Sequence, residues 1–509
     1  MGLATQTALQ APEDLAYASV VHSWTPEERA EKERKFVRKI DVRLLPILMV
    51  MYVMNYIDRN ALPQARVQGL EDDLNLSGYE YNIVLSLTFI GYILMQGNPP
   101  TRLNLRFHLL SNSCIVPSNM LLSLTRPSIY LSCCMIAWGI ASGATGAVQN
   151  FSGLAACRFI LGVTEAPFFA GCAFLFSGWY TRKELGFRLA IFYCAAMLAG
   201  AFGGLFAAGI EAAFKNHSLP SWRWLFIIEG AATVLFAVLT GFIIPDWPAT
   251  TKWLSPEERA IGIIRLIEDA GTEDESIPTW DACKLAFSDH RIWLCVIGQV
   301  CLQAVASLTN FLPTLVQTFG FGTIETLLLT APPYVLTAGV CLLNSWLSDR
   351  TSVRSPSILI PSAVACMGII ITVATTNTAA RYLAIFLMLP GTYGCMQISN
   401  AWMANIAARP QKMRAIGLAM NNSIGNSALV WTPYLYPESQ GPRYVTAWAV
   451  NLSLMVVCMA STVLLRILLA RDNRAMMAVD DGIHGGGDQD RKGENQVHSV
   501  AKASARYQI

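Results

Sequence analysis

Charge is scarce in this chain. Only 14% of its 509 residues are Asp, Glu, Lys or Arg, against about 25% in a soluble globular domain. What charge there is nearly cancels. The 37 Lys and Arg face 35 Asp and Glu, a net of +2, which excludes the strongly basic surface of a nucleic-acid binder. Hydrophobic residues make up 53%, so a disordered chain, a disulfide-stapled secreted domain and a fibrous repeat are excluded as well. The composition is that of a polytopic membrane protein.

Histidine and paired cysteine are missing where metal or redox chemistry would need them. The six histidines (His22, His108, His217, His290, His484, His498) all lie outside the apolar stretches. The 13 cysteines are odd in number and form no CxxC. Eleven sit in apolar stretches, Cys172, Cys301, Cys395 and Cys458 among them, where cysteine behaves as a small hydrophobe. No disulfide framework, metal site or cofactor is expected. No nucleophile–base constellation stands in or beside the apolar runs, so the chain is not read as an enzyme. Any proton coupling has to use carboxylates.

Long apolar runs are what the chain does have. A membrane-crossing helix needs about 20 mostly apolar residues. That ruler finds spans near 44–64, 79–122 (interrupted), 128–147, 151–178, 185–210 and 222–244, then near 291–317, 326–347, 356–375, 382–406, 415–436 and 444–468. The expected organisation is a cytoplasmic segment 1–43, a six-helix bundle 44–244, a central loop 245–290, a second bundle 291–470 and a disordered tail 471–509. Segment 1–43 is too long and too charged for the start of a cleaved signal peptide, so the first span is expected to be retained. With twelve spans and both ends inside, the basic clusters at Lys32–Arg43, Arg182/Lys183/Arg188, Arg350/Arg354 and Arg409/Lys412/Arg414 are all cytoplasmic, as the positive-inside rule requires. The opposite loops carry three N-x-Ser sequons, at Asn75, Asn150 and Asn216, a glycoprotein signature of low specificity. In the central loop, LSPEERAIGIIRLIEDA (Leu254–Ala270) predicts a helix capped by Ser255.

Residues 97–115, GNPPTRLNLRFHLLSNSCI, interrupt the second span with two prolines and two arginines. Deleting these 19 residues joins YNIVLSLTFIGYILMQ to VPSNMLL as one helix of the right length. The expectation is a retained intron or gene-model error; the alternative is a genuine cytoplasmic insertion.

Charges inside the spans each need a reason, because one at mid-bilayer costs roughly 2.5–3.5 kcal/mol. The first span has Asp58 and Arg59, the fourth Arg158 and Glu165, the sixth Glu229. Arg158 and Glu165 are seven apart, on one helical face about 10 Å apart along the axis. The last six spans have no ionisable residue in their cores. An arginine in a water-lined cavity can clamp a carboxylate. A carboxylate beside it can take up and release a proton as alternating access changes its surroundings. The competing reading is that Asp58–Arg158 or Arg59–Glu165 form buried ion pairs that lock helices together. Glu229 is read chiefly as structural, paired with Arg223 or aiding helix packing.

The pieces YIDRNALP, GLEDDLNLSGYEYNIVLSLTFIGYIL, RPSIYL, RFILGVTEAPFFAG, SWRWLFIIEG and PRYVTAWAVN resemble the anion:cation symporter branch of the major facilitator superfamily, and within it the fungal allantoate/nicotinate/vitamin permease-like transporters. The resemblance implies an all-α membrane protein of 12 transmembrane helices in two six-helix bundles. It implies substrate-binding roles for Tyr56, Arg59, Tyr92, Arg158 and Asn422 or Asn426, and proton-coupling roles for Asp58 and Glu165. The superfamily's Gly-rich loop motif is replaced here by VPSNMLLSLTRPS, while the second half keeps WLSDRTSVR, whose Asp349 and Arg350 would latch a cytoplasmic gate. Ordinary positive-inside anchoring is the alternative for Arg350. Gln303, Asn310, Tyr393, Gln397, Asn400 and Asn421 are further polar candidates, with interhelical hydrogen bonding as the competing role.

The expected function is proton-coupled uptake of a small organic anion, a carboxylate vitamin or ureide. The alternatives are proton-driven efflux of a secondary metabolite and a non-transporting nutrient sensor. The expected partners are the anion, protons and the bilayer, with no nucleic acid. The expected state is a monomer in the plasma membrane.

Overall fold

The computed structural model describes residues 21, 23–77, 79–96, 125–251, 253–270, 278–351, 353–407 and 410–484. The interruption at 97–115 lies outside the described residues. Twelve long helical segments follow one another, and no strand occurs among the described residues. Spans one to six are Pro26–Val67, Glu80–Gln96, Pro127–Thr145, Phe151–Ser177, Arg182–Phe214 and Ser221–Ile243. The seventh runs from His290–Ala306 through a 3-10 turn, Ser307–Phe311, into Leu312–Gln317. Spans eight to twelve are Thr323–Thr351, Pro356–Ala374, Thr378–Ile406, Gln411–Trp431 and Val445–His484. Nine of the helices are long and apolar enough to cross a membrane among the described residues. The other three are the second, described as far as Gln96, and the amide-rich tenth and eleventh. The fold is all-α, with twelve membrane spans.

Local chemistry sets the helix starts. Thr25 and Glu28 form a capping box before Pro26, and Thr181 and Glu184 another before the fifth span. Asn150 caps the fourth span, accepting from Gly153 N at 2.8 Å, so this sequon side chain is already engaged. Asn377 caps the tenth in the same way at 3.2 Å. Two boundaries differ from expectation. The first helix begins at Pro26 rather than 44, and the twelfth runs past Arg471 to His484.

The early start of the first helix has a visible cause. Its N-terminal stalk packs on the loop helix Pro256–Ala270, which is capped as expected by Ser255, with Glu258 N donating to Ser255 Oγ at 3.2 Å. Lys32 meets Glu257 at 2.5 Å and Lys39 meets Glu258 at 2.7 Å. Arg29 bonds Glu268. Phe36 covers Gly262, where an added Cβ would sit 2.8 Å from Phe36 Cζ. Arg188 adds a forked pair to Asp41 at 2.6 and 2.7 Å, and Arg265 reaches Glu184 at 2.5 Å. Together these contacts extend the helix beyond the bilayer ruler.

The chain divides into two compact units. The first gathers Met1–Asp274 with Ser307–Ala338 and Leu429–Tyr444; the second gathers Glu275–Ala306, Gly339–Ala428 and Val445–Ile509. Parts of the seventh, eighth and eleventh spans thus belong with the first six. They are joined there by Ser86 Oγ donating to Val430 O at 2.7 Å, by Phe311 stacked on Tyr436 at 4.5 Å and by Tyr81 edge-on to Phe311 at 6.4 Å. Glycines let helices touch. A Cβ on Gly200 would sit 2.6 Å from Tyr334 Cε1 and one on Gly203 2.9 Å from Gln64 Nε2, whereas Gly209 meets nothing within 4 Å. In the second unit, Gly391 of the tenth span lies against Pro361 O of the ninth, 2.6 Å from an added Cβ. Its core holds Leu302, Cys395, Trp402, Met403, Met455 and Cys458.

Candidate functional site

Helical periodicity on the first span puts Tyr52, Tyr56 and Arg59 on one face, at i, i+4 and i+7. Arg59, its side chain 15% exposed, reaches Glu165 of the fourth span at 2.5 Å, Nη2 to Oε1. Aromatic rings surround the guanidinium. Its carbon lies 5.0 Å from the Tyr56 centroid, 4.9 Å from Tyr92 and 6.0 Å from Phe89, geometry that lets the rings share in balancing the cation. Tyr56 also meets Tyr52 edge-on at 4.9 Å. Tyr92 reaches this place because the second and fourth spans touch at Gly162. A Cβ there would collide with the Thr88 carbonyl and stand 3.1 Å from Tyr92 N.

Asp58 is next to Arg59 in sequence but about 100° around the helix, and it enters a different environment. Its carboxylate is 1% exposed and accepts from Ser142 Oγ of the third span at 2.7 Å and Thr233 Oγ1 of the sixth at 2.9 Å. Arg158 donates from Nη1 to the Asp58 backbone carbonyl at 3.3 Å and lies 4.6 Å from the Phe226 centroid. It too is 1% exposed. Of the two ion pairs weighed from sequence, Arg59–Glu165 is formed, while Arg158 meets Asp58 through the backbone instead. Arg158 therefore serves here as a buried neighbour of Asp58, closed off from solvent. The reason is its position one helical turn pair below Glu165, against the sixth span.

The polar candidates of the second unit are neutral. Asn426 donates to Asn422 at 3.2 Å on the exposed side of the eleventh span. Asn421, fully buried, donates to Asn400 of the tenth at 2.7 Å. Tyr393 donates to Ala306 O at 3.3 Å. At the end of the eighth span, Asp349 accepts from Arg354 Nη1 at 2.7 Å, so the charge it meets is an arginine. Arg350 lies 5.2 Å from the Trp346 ring.

A family model described as Major Facilitator Superfamily matches residues 109–433. The chain belongs to the Major Facilitator Superfamily. Among its relatives, the major facilitator-type transporter hxnP of Emericella nidulans is 34% identical over 451 residues, 87% of each chain. The MFS-type transporter efuF of Hormonema carpetanum is 34% identical over 426 residues, 81% of this chain and 80% of that one. Among solved structures, the xylose transporter XylE from E. coli in a partially occluded inward-open conformation has a TM-score of 0.59. It is 15% identical, over 83% of this chain and 97% of that one. A bacterial homolog of the human lysosomal transporter Spinster has a TM-score of 0.58 and 16% identity, over 83% and 94%. These structures share the fold.

Within this facilitator, Glu229 departs from its sequence reading. It does not meet Arg223, which instead bonds Asp73 at 2.8 Å and Val148 O at 2.7 Å. Trp222 is fully buried, and Arg223 lies 4.5 Å from its ring. Ser142, Thr233, Phe89 and Phe226 were not signalled by the sequence. Hydroxyls and rings are common in apolar spans, and only the helix that faces them gives them a charged partner.

Proposed function

We propose that the protein is a secondary transporter that takes up a small organic anion together with protons by alternating access. The observation that carries this reading is the Arg59–Glu165 pair, its carboxylate buried and its guanidinium 15% exposed and ringed by Tyr56 and Tyr92. Arg59 is the cation that would receive a substrate carboxylate, in exchange for Glu165. Glu165, released from the arginine, and Asp58 are the proton carriers. Tyr56 and Tyr92 would frame the bound anion. Asp349, Arg350 and Arg354 would latch the cytoplasmic ends. The reading takes the protein as a monomer in the plasma membrane, and cytoplasmic termini fit the distribution of basic loops.

The test is proton flux in cells expressing the protein, challenged with a panel of small carboxylates. Inward flux driven by a carboxylate and lost in both Arg59→Ala and Glu165→Gln is the expected result. Carboxylate-driven flux that survives both substitutions overturns the site. Outward, rather than inward, movement of the anion against protons would replace uptake by efflux.

A further inference from the structure

Glu229 is left over by this reading. It is 1% exposed, and neither of its carboxyl oxygens has a hydrogen-bond partner. An unpaired, buried carboxylate is too costly to be kept as packing alone. Its neighbours are specified by the sixth span itself. Phe226, Glu229 and Thr233 follow at i, i+3 and i+7, so they share one face. Phe226 lies against the Arg158 guanidinium at 4.6 Å, and Thr233 donates to Asp58 at 2.9 Å. Glu229 stands between the two.

The backbone holds it there. Gly230 brings the sixth span onto the third: a Cβ at Gly230 would sit 2.5 Å from Gly143 N and 2.7 Å from Gly139 O. Arg158 has a matching deficit, with Nε and Nη2 both unpartnered, and it is not within ion-pair distance of Glu229 or Asp58. The charged groups that act on Glu229 are Asp58 from the first span and Arg158 from the fourth. From the third span, the Ser142 hydroxyl is already given to Asp58. Glu165 and Tyr81 lie farther out, acting on Asp58 and Arg158 respectively.

Counting charge gives the consequence. One guanidinium and two carboxylates sum to −1 when all are ionised, in a place where net charge is expensive. One proton on either carboxylate makes the set neutral. We infer that Asp58 and Glu229 share one exchangeable proton around Arg158, making Glu229 a second carrier in the coupling step. Uptake forms one O–H bond on a carboxylate oxygen and leaves the guanidinium charged; release returns the proton to water. The two carboxyls then titrate as a pair rather than singly. This deepens the proton-coupled reading above and rests on it.

The test needs no substrate. The full-length protein is purified, reconstituted in lipid and followed by infrared difference spectroscopy between alkaline and acidic pH, reading the C=O stretch of protonated carboxyl groups. Wild type is expected to show a band that both Glu229→Gln and Asp58→Asn alter. Glu229→Gln loses part of the band, and Glu229→Asp retains it at a shifted frequency. A band unchanged in Glu229→Gln, in protein that is helical and monodisperse, overturns the inference. If Glu229→Gln does not fold, Glu229→Asp decides alone: an unshifted band overturns it. The two readings fail separately. An unaltered band leaves the flux test on Arg59 and Glu165 standing, and absence of carboxylate flux leaves the spectra to be read on their own.

Discussion

The first unit's spans bury acids and bases in their interiors, whereas in the second unit the buried Arg354 and Arg381 lie at span ends and the interiors bury amides, hydroxyls and thiols. Arg59–Glu165 and the Asp58–Arg158–Glu229 group lie in the first. The second has Asn421 on Asn400 and Cys395 on Ser362 at 3.3 Å. Both units use the same packing device, glycines that let backbones touch, at Gly162 and Gly391. The difference is therefore chemical and not architectural. A buried charge must be balanced and can change state with a proton; a buried amide needs only a partner and stays as it is. Unequal burial of charge points to unequal work by the two halves.

The largest effect that would sharpen this contrast comes from Arg59. Truncating one partner of a buried charge pair costs about 2–5 kcal/mol, so Arg59→Ala is expected to lower carboxylate-driven proton flux by about 100-fold or more. Asn421→Ala, its counterpart in the second unit, is expected to leave most of the flux. Equal losses in the two variants would break the comparison.

Packing should be even-handed. Gly162→Val and Gly391→Val each force a side chain into facing backbone, and overpacking costs typically about 1–3 kcal/mol. Thermal unfolding of the purified protein should fall by similar amounts in both. A drop confined to one would show that the two units are not built alike.

The hydroxyls on Asp58 come next. Hydrogen bonds to charged groups contribute about 1.5–3 kcal/mol, so Ser142→Ala and Thr233→Val should each reduce proton flux about tenfold. Ser362→Ala, against a neutral thiol, should leave flux within about twofold, since exchanging a neutral bond is worth only about 1 kcal/mol.

The smallest effect lies outside the membrane. Partial burial pushes the Glu258 carboxyl up, but Lys39 and the Ser255 N–H outweigh it and hold the group below its ordinary value of 4.5. The stabilisation is therefore present above that value and lost as pH falls through the lowered one. Protection of the amides of residues 256–270 against hydrogen exchange, taken relative to the intrinsic rate at each pH, should be high near neutral pH and fall in acid. In Glu258→Gln this protection should be lower at neutral pH and lose its acid dependence. Acid-independent protection in wild type would remove the carboxylate from the contact with the stalk.

Much of the fold was legible because its signals are local. Apolar runs of bilayer length, basic loops and a capping residue such as Ser255 depend on neighbours in sequence, and each expected span has its helix. The stalk of the first helix was not legible. Its length depends on Lys32, Lys39 and Arg29 finding acids more than 200 residues away. The same split runs through the site. Asp58, Arg59, Arg158, Glu165 and Glu229 stand out in sequence because charge in an apolar run is rare.

Sequence by itself thus determined the class of the protein, the number of spans and which side chains carry charge into the membrane, since these follow from the cost of moving each residue out of water. The tertiary structure alone decided the pairing. Adjacent residues on a helix point about 100° apart, so Asp58 and Arg59 go to different neighbours, the one to hydroxyls and Arg158, the other to Glu165 and tyrosine rings. Glu229 is drawn in by the same geometry, where glycine contacts press the sixth span onto the third and leave a carboxyl beside Asp58 and Arg158 with no other partner.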